Sequence, residues 1–460
     1  MVWKEKTDRR LYDVRDKIKE LLHLKDFRSL KRYLTLVCEK YSPVDMIRVI
    51  SGMDTVQIVM IFRLFPKDYA ADVFTLLEKD EQKLLIQSMA EQNVAALMKE
   101  LEPDERTDLF EELPAGMIKK LLLYLTPEER KIANELLNYP EDSAGRLMTP
   151  EYVDLKANMT ADGAIEHIRK TAPDKETIYT SYVIDERRKL LGIVPLKDLL
   201  LSRPETEVKE IMNINFISVN TLDDQEDVAR TMQKYDLLAV PVVDSEKRLV
   251  GIITIDDVVD VIEEENTEDV QRMALLEPIE LPYLHTNPFV LVKKRIIWLA
   301  LLMILESATS FVMQSFQDTI RSAVALSFFV PMMIDTGGNV GTQSSTIIIR
   351  SLATRDVKIK DFFNVVLRES LSAALLGFLL SLIAFARVML TTPNLVLAMS
   401  ISLSLAIVIF LADVIGATLP IFAKVMKIDP AVMAGPIITT IVDIGGMLVY
   451  FIVATKIFNI

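Results

Sequence analysis

The segment Asp429–Ile457, DPAVMAGPIITTIVDIGGMLVYFIVATKI, decides the architecture of the 460-residue chain. A helix rises about 1.5 Å per residue, so this apolar run is long enough to cross the hydrocarbon core of a bilayer. Asp443 lies near its middle, where a carboxylate costs about 2.5–3.5 kcal/mol on insertion scales. Such a group usually meets a water-filled cavity, a partner or an ion. We therefore predict that Asp443 belongs to a cation pathway; a protonated or hydrogen-bonded structural aspartate is the alternative.

Acidic and basic residues are segregated along the chain. Residues 286–460 contain 13 Lys and Arg against 9 Asp and Glu, whereas residues 1–285 carry a net charge of −17. This acidic half argues against nucleic acid as a partner. It favours divalent cations, because clustered carboxylates raise the local cation concentration. A solvated acidic surface is the alternative for most of these residues.

From Leu291 onward the sequence predicts five membrane spans, near 293–316, 321–349, 363–390, 395–423 and 430–457. Lys and Arg cluster in alternate loops, so the positive-inside rule places the soluble half in the cytoplasm and the C-terminus outside. The spans show no inverted repeat, and we expect a pore between two copies of the chain. The chain is thus predicted to be a multi-pass protein of the cell (inner) membrane, in contact with membrane lipid.

Pro331 and three glycines lie in the second span, PMMIDTGGNVGTQSS, and predict a helix that is interrupted at membrane depth. Its freed carbonyls and polar side chains would supply the hard oxygen donors that suit Mg²⁺ or Ca²⁺. Close helix packing is the alternative explanation for the glycines. The residues assigned to the ion pathway are Asp335, Thr336, Asn339, Asp413, Thr440 and Asp443.

Residues 1–140 predict an acidic helical N domain. A motif of Leu, a polar or Pro-containing turn and acidic residues recurs about every twelve residues, as in LFPKD at Leu64 and LTPEE at Leu125. Pro in a first helical turn with acids behind it marks a helix start, so the repeat indicates an α-solenoid. Its polar side would carry Asp72, Asp104 and Asp108; acids that complement helix dipoles are the alternative.

Residues 141–262 contain one pattern twice, LLGIVPLKDLL from Leu190 and LVGIITIDDVV from Leu249, offset by 59 residues. Each copy predicts two strands and a helix after an amphipathic helix. This pattern resembles a tandem pair of CBS domains, whose members bind adenosine nucleotides between the copies. Gly251, Thr254 and Asp257 match the family's nucleotide-contact pattern, so the resemblance implies ATP or another adenine nucleotide as a ligand. The first copy departs from that pattern, with Pro195 in the hydroxyl position.

Eight carboxylates lie between Asp256 and Asp269. Like charges three or four residues apart destabilise a helix by about 0.2–0.5 kcal/mol per pair. A divalent cation with oxygen ligands would neutralise this stretch; a solvated connector is the alternative. We assign residues 263–290 to a connecting helix and residues 291–460 to a transmembrane domain of five helices.

Four motifs together resemble the MgtE family of magnesium transporters and channels: LSFFVPMMIDTGGNVGTQSS, MAGPIITTIVDIGG, SAGRLMT at Ser143 and VIEEENTEDV. The resemblance covers nearly the whole chain. It implies a homodimer whose pore lies on the dimer axis, lined by the second and fifth spans, with Asp443 as the selective site for a largely hydrated Mg²⁺. Asp413 departs from the Asn that the family leads us to expect. The predicted fold is therefore a helical solenoid, an α+β tandem CBS pair and a transmembrane bundle of five spans.

By the same resemblance, Mg²⁺ at acidic cytosolic sites would close the pore and its loss would reopen it. The alternative is a membrane-anchored CBS-type nucleotide or ion sensor without transport. An enzyme is disfavoured, because the sequence has no nucleophile–base pair, HExxH motif or phosphate-binding loop. The regulatory metal sites fall on Asp72, Asp104, Asp108, Asp224, Glu226, Asp236, Asp257, Asp260, Glu265, Glu268 and Asp269.

Overall fold

The structure, a computed structural model, describes residues 2–77, 79–111, 113–279 and 286–459. The chain divides into two compact units, Met1–Glu263 and Glu264–Ile460. Residues 280–285, inside the predicted connecting segment 263–290, lie outside the described residues. Each unit is described below by itself.

The first unit begins with a stack of short helices, as the twelve-residue repeat predicts. Most helices start at a Pro or at a capping side chain; Thr126, for example, accepts from the Glu129 N–H at 3.2 Å and forms a capping box with it. Alternate helices pack on one another and share one apolar core. The helices are α1 Val2–His23, α2 Phe27–Cys38, α3 Pro43–Ile50, α4 Thr55–Phe62, α5 Lys67–Thr75, α6 Lys79–Ser88, α7 Glu91–Glu100, α8 Pro103–Glu111, α9 Ala115–Leu122 and α10 Pro127–Leu137.

The duplicated sequence forms two copies of one α+β unit. In each copy a short strand pairs in parallel with a second strand, which pairs antiparallel with a third. The first copy comprises α11 Ala144–Leu147, β1 Asp154–Leu155, α12 Ala161–Thr171, β2 Thr180–Ile184, β3 Leu190–Pro195, α13 Leu196–Leu201 and α14 Val208–Ile211. The second comprises β4 Val219–Asn220, α15 Gln225–Tyr235, β5 Ala239–Val243, β6 Leu249–Thr254 and α16 Ile255–Met273.

The two copies share a core. Tyr152 and Tyr182 of the first copy pack with Leu249 and Ile252 of the second. The Tyr152 hydroxyl donates to the Leu249 carbonyl at 3.2 Å. The duplication therefore folds as one body, with the pattern residues Thr254 and Asp257 at the end of β6 and the start of α16.

The second unit is a bundle of long apolar helices. Four segments, Pro288–Ser315, Ile359–Thr391, Leu395–Val425 and Pro430–Phe458, are long and apolar enough to cross a membrane by length and composition. They contain α17 Pro288–Ser315, α20 Phe362–Thr391, α21 Leu395–Val425 and α22 Gly435–Phe458; α18 Gln317–Ser322 and α19 Val330–Ala353 lie between the first two. The predicted second span, 321–349, corresponds mainly to the more polar α19.

The expectation of an interrupted second span is wrong. α19 runs without a break from Val330 to Ala353. Pro331 sits in its first turn, where the missing N–H has no helical partner to lose. The glycines instead let neighbouring helices approach, which was the alternative explanation. An ideal Cβ on Gly341 would lie 2.7 Å from Ile438 Cγ2 of α22 and 3.2 Å from the Ala412 carbonyl of α21.

The backbones of α19 and α21 approach each other closely. A Cβ on Gly416 would overlap the backbone carbonyl of Gly341, and both glycines are buried. Since this obstacle is main chain rather than a flexible side chain, it cannot be relieved by a change of rotamer.

We expect Gly416→Ala to destabilise the bundle by about 1–3 kcal/mol, the usual cost of overpacking. Thermal unfolding of the purified protein in detergent measures the effect. Gly445→Ala is the matched control, because a Cβ there meets nothing within 4 Å and alanine is the better helix former. Equal unfolding temperatures for the two variants would contradict the close approach.

Candidate metal sites

Three carboxylates of the first unit lie together in a group that we call the acidic cluster. It consists of Glu102, Asp104 and Glu176, whose nearest oxygens all lie within 4.8 Å of one another. Glu102 and Asp104 flank the start of α8, and Glu176 lies in the loop before β2, where its N–H donates to the Glu151 carbonyl at 2.9 Å. The sequence predicted only Asp104, because Glu102 and Glu176 become neighbours through folding alone.

The acidic cluster is crowded and poorly compensated. Asp104 Oδ1 and Glu176 Oε2 are buried without a hydrogen-bond partner. Burial, with Asp257 nearby, raises the pKa of Asp104 well above its ordinary value. Burial and the neighbouring Glu102 also raise the pKa of Glu176. Carboxylate oxygens at this spacing are suitable ligands for a hard divalent cation.

Two other acids of α8, unlike the acidic cluster, form ion pairs with cationic side chains. Asp108 lies 3.5 Å from Lys79 Nζ, and Glu111 pairs with Arg146. Among the described residues, no such ion pair reaches the acidic cluster. The predicted ligand Asp108 therefore already has a cationic partner, whereas no described Lys or Arg forms an ion pair with Asp104.

Asp257 lies at the start of α16, close to the acidic cluster. Thr254 Oγ1 donates to Asp257 Oδ2 at 2.7 Å, which joins two residues of the nucleotide-contact pattern. Burial raises the pKa of Asp257 to about 6. The third pattern residue, Gly251, has a packing role as well, since a Cβ there would lie 2.7 Å from Met148 Sδ.

Three of the other predicted regulatory acids have local contacts on α15. Asp224 caps α15, with its side chain accepting from the Glu226 N–H at 2.9 Å, and Glu226 pairs with Arg230. Asp236 ends α15 in the left-handed conformation, with φ 52°. These three residues have local structural roles and are not members of the acidic cluster. Asp72 on α5 is exposed and is an electrostatic neighbour of Glu102, and Asp260 is one of Asp108. Asp260, Glu265, Glu268 and Asp269 follow Asp257 along α16.

The last turns of α16 belong to the second unit and contact the segment before α22. Arg272 pairs with Glu268 on its own helix and, at 2.6 Å, with Asp429 just before α22. A Cβ on Gly435, the first residue of α22, would lie 3.2 Å from the Met273 carbonyl. Neither Arg272 nor Asp429 was singled out from the sequence, because their pairing spans 157 residues.

Asp443 lies on α22, and its Oδ1 is buried with no hydrogen-bond partner in the part of the chain that the structure describes. Gly338 of α19 faces it, since an ideal Cβ there would lie 3.9 Å from that oxygen. Its electrostatic neighbours are Glu306 and Asp335. The hydroxyl of Thr440 donates to the Pro436 carbonyl at 2.8 Å and is buried.

One face of α19 is polar and exposed on the single chain. This polar stripe consists of Asp335, Asn339, Gln343 and Thr346. Residues four and three apart share a helix face, so the stripe is continuous. The predicted Asp335 and Asn339 belong to it, and Thr336 lies beside it, half-buried.

Asp413 lies with a different set of residues from Asp443 and the polar stripe. On α21 it is buried and interacts with Glu369 of α20 and Ser344 of α19. The sequence analysis missed Glu369, although this carboxylate lies inside the predicted span 363–390. Its position in an apolar run was the available signal.

Stability without divalent cations should fall as pH rises from about 4.5 to 7. Burial raises the pKa of Glu105, beside the acidic cluster on α8, from 4.5 to about 7. In that window the folded state keeps a proton that the unfolded state has lost, so the free energy of unfolding decreases with pH. Thermal unfolding in chelator at a series of pH values measures the slope.

Glu105→Gln is the matched variant for this experiment. Its amide oxygen can still accept from the Glu102 N–H, as Glu105 Oε2 does at 3.1 Å. The variant should lose part of the decrease, since each pKa unit is worth about 1.4 kcal/mol. A wild-type stability that rises across this window would contradict the expectation.

Models of three protein families match the chain in succession. The MgtE intracellular N domain matches residues 41–142, the CBS domain matches 144–205 and 208–264, and MgtE, described as a divalent cation transporter, matches 330–453. These matches confirm the predicted helical N domain and CBS pair, and they identify a transporter family rather than an enzyme family.

Curated relatives and solved structures agree. Magnesium transporter MgtE of Thermus thermophilus is 42% identical over 319 residues, which cover 69% of this chain and 71% of the relative. The Bacillus subtilis magnesium transporter MgtE is 32% identical over 432 residues, 94% of each chain. The cytosolic domain of the Mg²⁺ channel MgtE, solved in complex with ATP, is 37% identical and covers 54% of this chain and 99% of its own, with a TM-score of 0.51. This chain, an integral membrane protein, belongs to the MgtE family.

Proposed function

We propose that two copies of the chain form a pore that transports Mg²⁺, with Asp443 as its ion site. The observation that carries this proposal is the buried, unpartnered Asp443 oxygen at the centre of a membrane helix. Among the described residues, Asp443 forms no ion pair with Lys or Arg. A cation supplies the missing counter-charge, and the names of the relatives make Mg²⁺ the ion of choice.

The polar stripe on α19 supports a pore between copies. Asp335, Asn339 and Gln343 are exposed on a single chain at membrane depth, where contact with lipid would be costly. A second copy related by two-fold symmetry would cover this face and enclose water along it. Asp335 is also an electrostatic neighbour of Asp443, so the stripe and the ion site belong to one pathway.

We further propose that Mg²⁺ bound to the acidic N, CBS and connecting regions closes the pore. The acidic cluster and Asp257 repel one another without cations, and bound Mg²⁺ would favour the arrangement that brings them together. Shifting a gate from 1:99 to 99:1 needs about 5.5 kcal/mol of differential binding, which several weak sites supply more readily than one.

The route to the pore is helix α16. It begins with Asp257 near the acidic cluster and ends with Arg272 paired to Asp429 ahead of α22. We propose that this helix transmits the state of the regulatory acids to the helix that carries Asp443. On the basis of the positive-inside rule, we propose that this regulatory half is cytoplasmic and that the C-terminus lies outside.

ATP or another adenine nucleotide is proposed as a further ligand of the CBS pair. The bonded pair Thr254–Asp257 supports it, as does the ATP complex of the related cytosolic domain. Because Asp257 also neighbours the acidic cluster, nucleotide and Mg²⁺ would act on the same residue. The competing function, a membrane-anchored sensor without transport, has no use for an unpartnered Asp443.

Asp443→Ala should reduce Mg²⁺ flux into proteoliposomes to background, because the ion site loses its charge. Asp318→Asn is the control: its carboxylate lies in the second unit but is 95% exposed, so flux should be unchanged. Wild-type flux in the Asp443 variant would return that residue to a structural role and favour the sensor.

Asp257→Asn should leave flux high when Mg²⁺ on the side of the soluble domains is raised, because one regulatory charge is lost. The exposed Glu246→Gln serves as the control and should close like wild type. Normal closure of the Asp257 variant would refute regulation through this residue, whatever the result for Asp443.

A further inference from the structure

A second group of carboxyl groups lies inside the membrane unit, separate from Asp443. Asp413 on α21 is only 4% exposed, and Ser344 on α19 is 3% exposed. Ser344 Oγ donates to Glu369 Oε2 of α20 at 3.1 Å. Asp413 interacts electrostatically with Glu369 and lies beside the same hydroxyl. Three helices therefore each contribute one oxygen-bearing side chain to one point.

This group lacks a counter-charge. Asp413 Oδ2 is buried and has no hydrogen-bond partner among the described residues. In the part of the chain that the structure describes, no Lys or Arg pairs with Asp413 or Glu369. A buried carboxylate with an unfilled acceptor is costly, and a second carboxylate next to it adds repulsion. The Ser344 hydroxyl has a single proton to share between the two carboxylates.

The close approach of α19 and α21 positions the group. Gly416 is one turn from Asp413 and packs against Gly341, which in turn is one turn from Ser344. This backbone contact holds the helices that carry Asp413 and Ser344 next to each other.

We propose that Asp413, Glu369 and Ser344 bind one divalent cation. Two ionised carboxylates and one divalent ion are neutral together, which a monovalent ion would not achieve in the low-dielectric interior. Carboxylate and hydroxyl oxygens are hard ligands that suit Mg²⁺ or Mn²⁺. Such an ion would fasten α19, α20 and α21 to one another. The site is independent of the proposed pore, because it needs neither Asp443 nor a second copy.

The direct test uses crystals of the full-length protein soaked in MnCl₂ at pH 8, with anomalous difference density recorded at the manganese edge. We expect a peak between Asp413 and Glu369, with oxygen distances of about 2.0–2.6 Å. Asp413→Asn should abolish this peak and retain those at the cytosolic acids. Wild-type crystals with manganese at other sites and none here would overturn the proposal.

Thermal unfolding gives a second readout, in which the effect of Asp413→Asn on stability depends on whether a divalent cation is present. Without divalent cations, Asp413→Asn should unfold at a higher temperature than wild type, because the amide relieves the repulsion from Glu369. With Mn²⁺, wild type should gain more than the variant. Asp318→Asn should show the wild-type Mn²⁺ response. The same measurements are repeated at several pH values. If the unfolding temperatures of wild type and Asp413→Asn differ only in a pH-dependent way, and both gain equally from Mn²⁺, then Asp413 and Glu369 share protons rather than a cation and the proposal fails.

Discussion

A carboxylate that leaves water needs a counter-charge, and this chain leaves several without one among its described side chains. Asp108, Glu111 and Glu226 lie beside Lys or Arg, so their charges are compensated within the protein. Asp104, Asp413 and Asp443 each have a buried oxygen with no partner. A buried charge that loses its partner is typically destabilising by several kcal/mol. A bound cation would remove this cost at the three positions.

These unpartnered groups depend on close helix packing. Gly341 and Gly416 bring α19 and α21 into backbone contact, and Gly338 leaves room for Asp443 against α19. Larger residues would separate the helices, and the carboxylates would then meet lipid or water instead of one another. The glycines of the second span therefore serve the chemistry through packing, with the helix intact.

Local sequence patterns predicted most of the fold. The 59-residue duplication gave both CBS copies, and the Leu–Pro–acid repeat gave the helical stack, since both depend on neighbours along the chain. The interrupted helix at Pro331 was predicted wrongly, because a proline in the first turn leaves the helix intact and tertiary contacts outweigh glycine propensity. Glu102 and Glu176 were missed for another reason: a loop and a distant helix start meet only in the folded unit. Glu369 could have been predicted from the sequence, because it is a charged residue within an apolar span.

The ion pair between Arg272 and Asp429 has a consequence for ionic strength. Their side chains are 39% and 27% exposed, so dissolved ions reach the pair and screen its attraction. At about 0.15 M salt the Debye length is only about 8 Å, and it shortens as salt is added. Monovalent salt therefore weakens the Arg272–Asp429 ion pair by screening, without binding to a specific site. Every Mg²⁺ titration also raises ionic strength, so the specific effect of Mg²⁺ emerges only when total ionic strength is held constant.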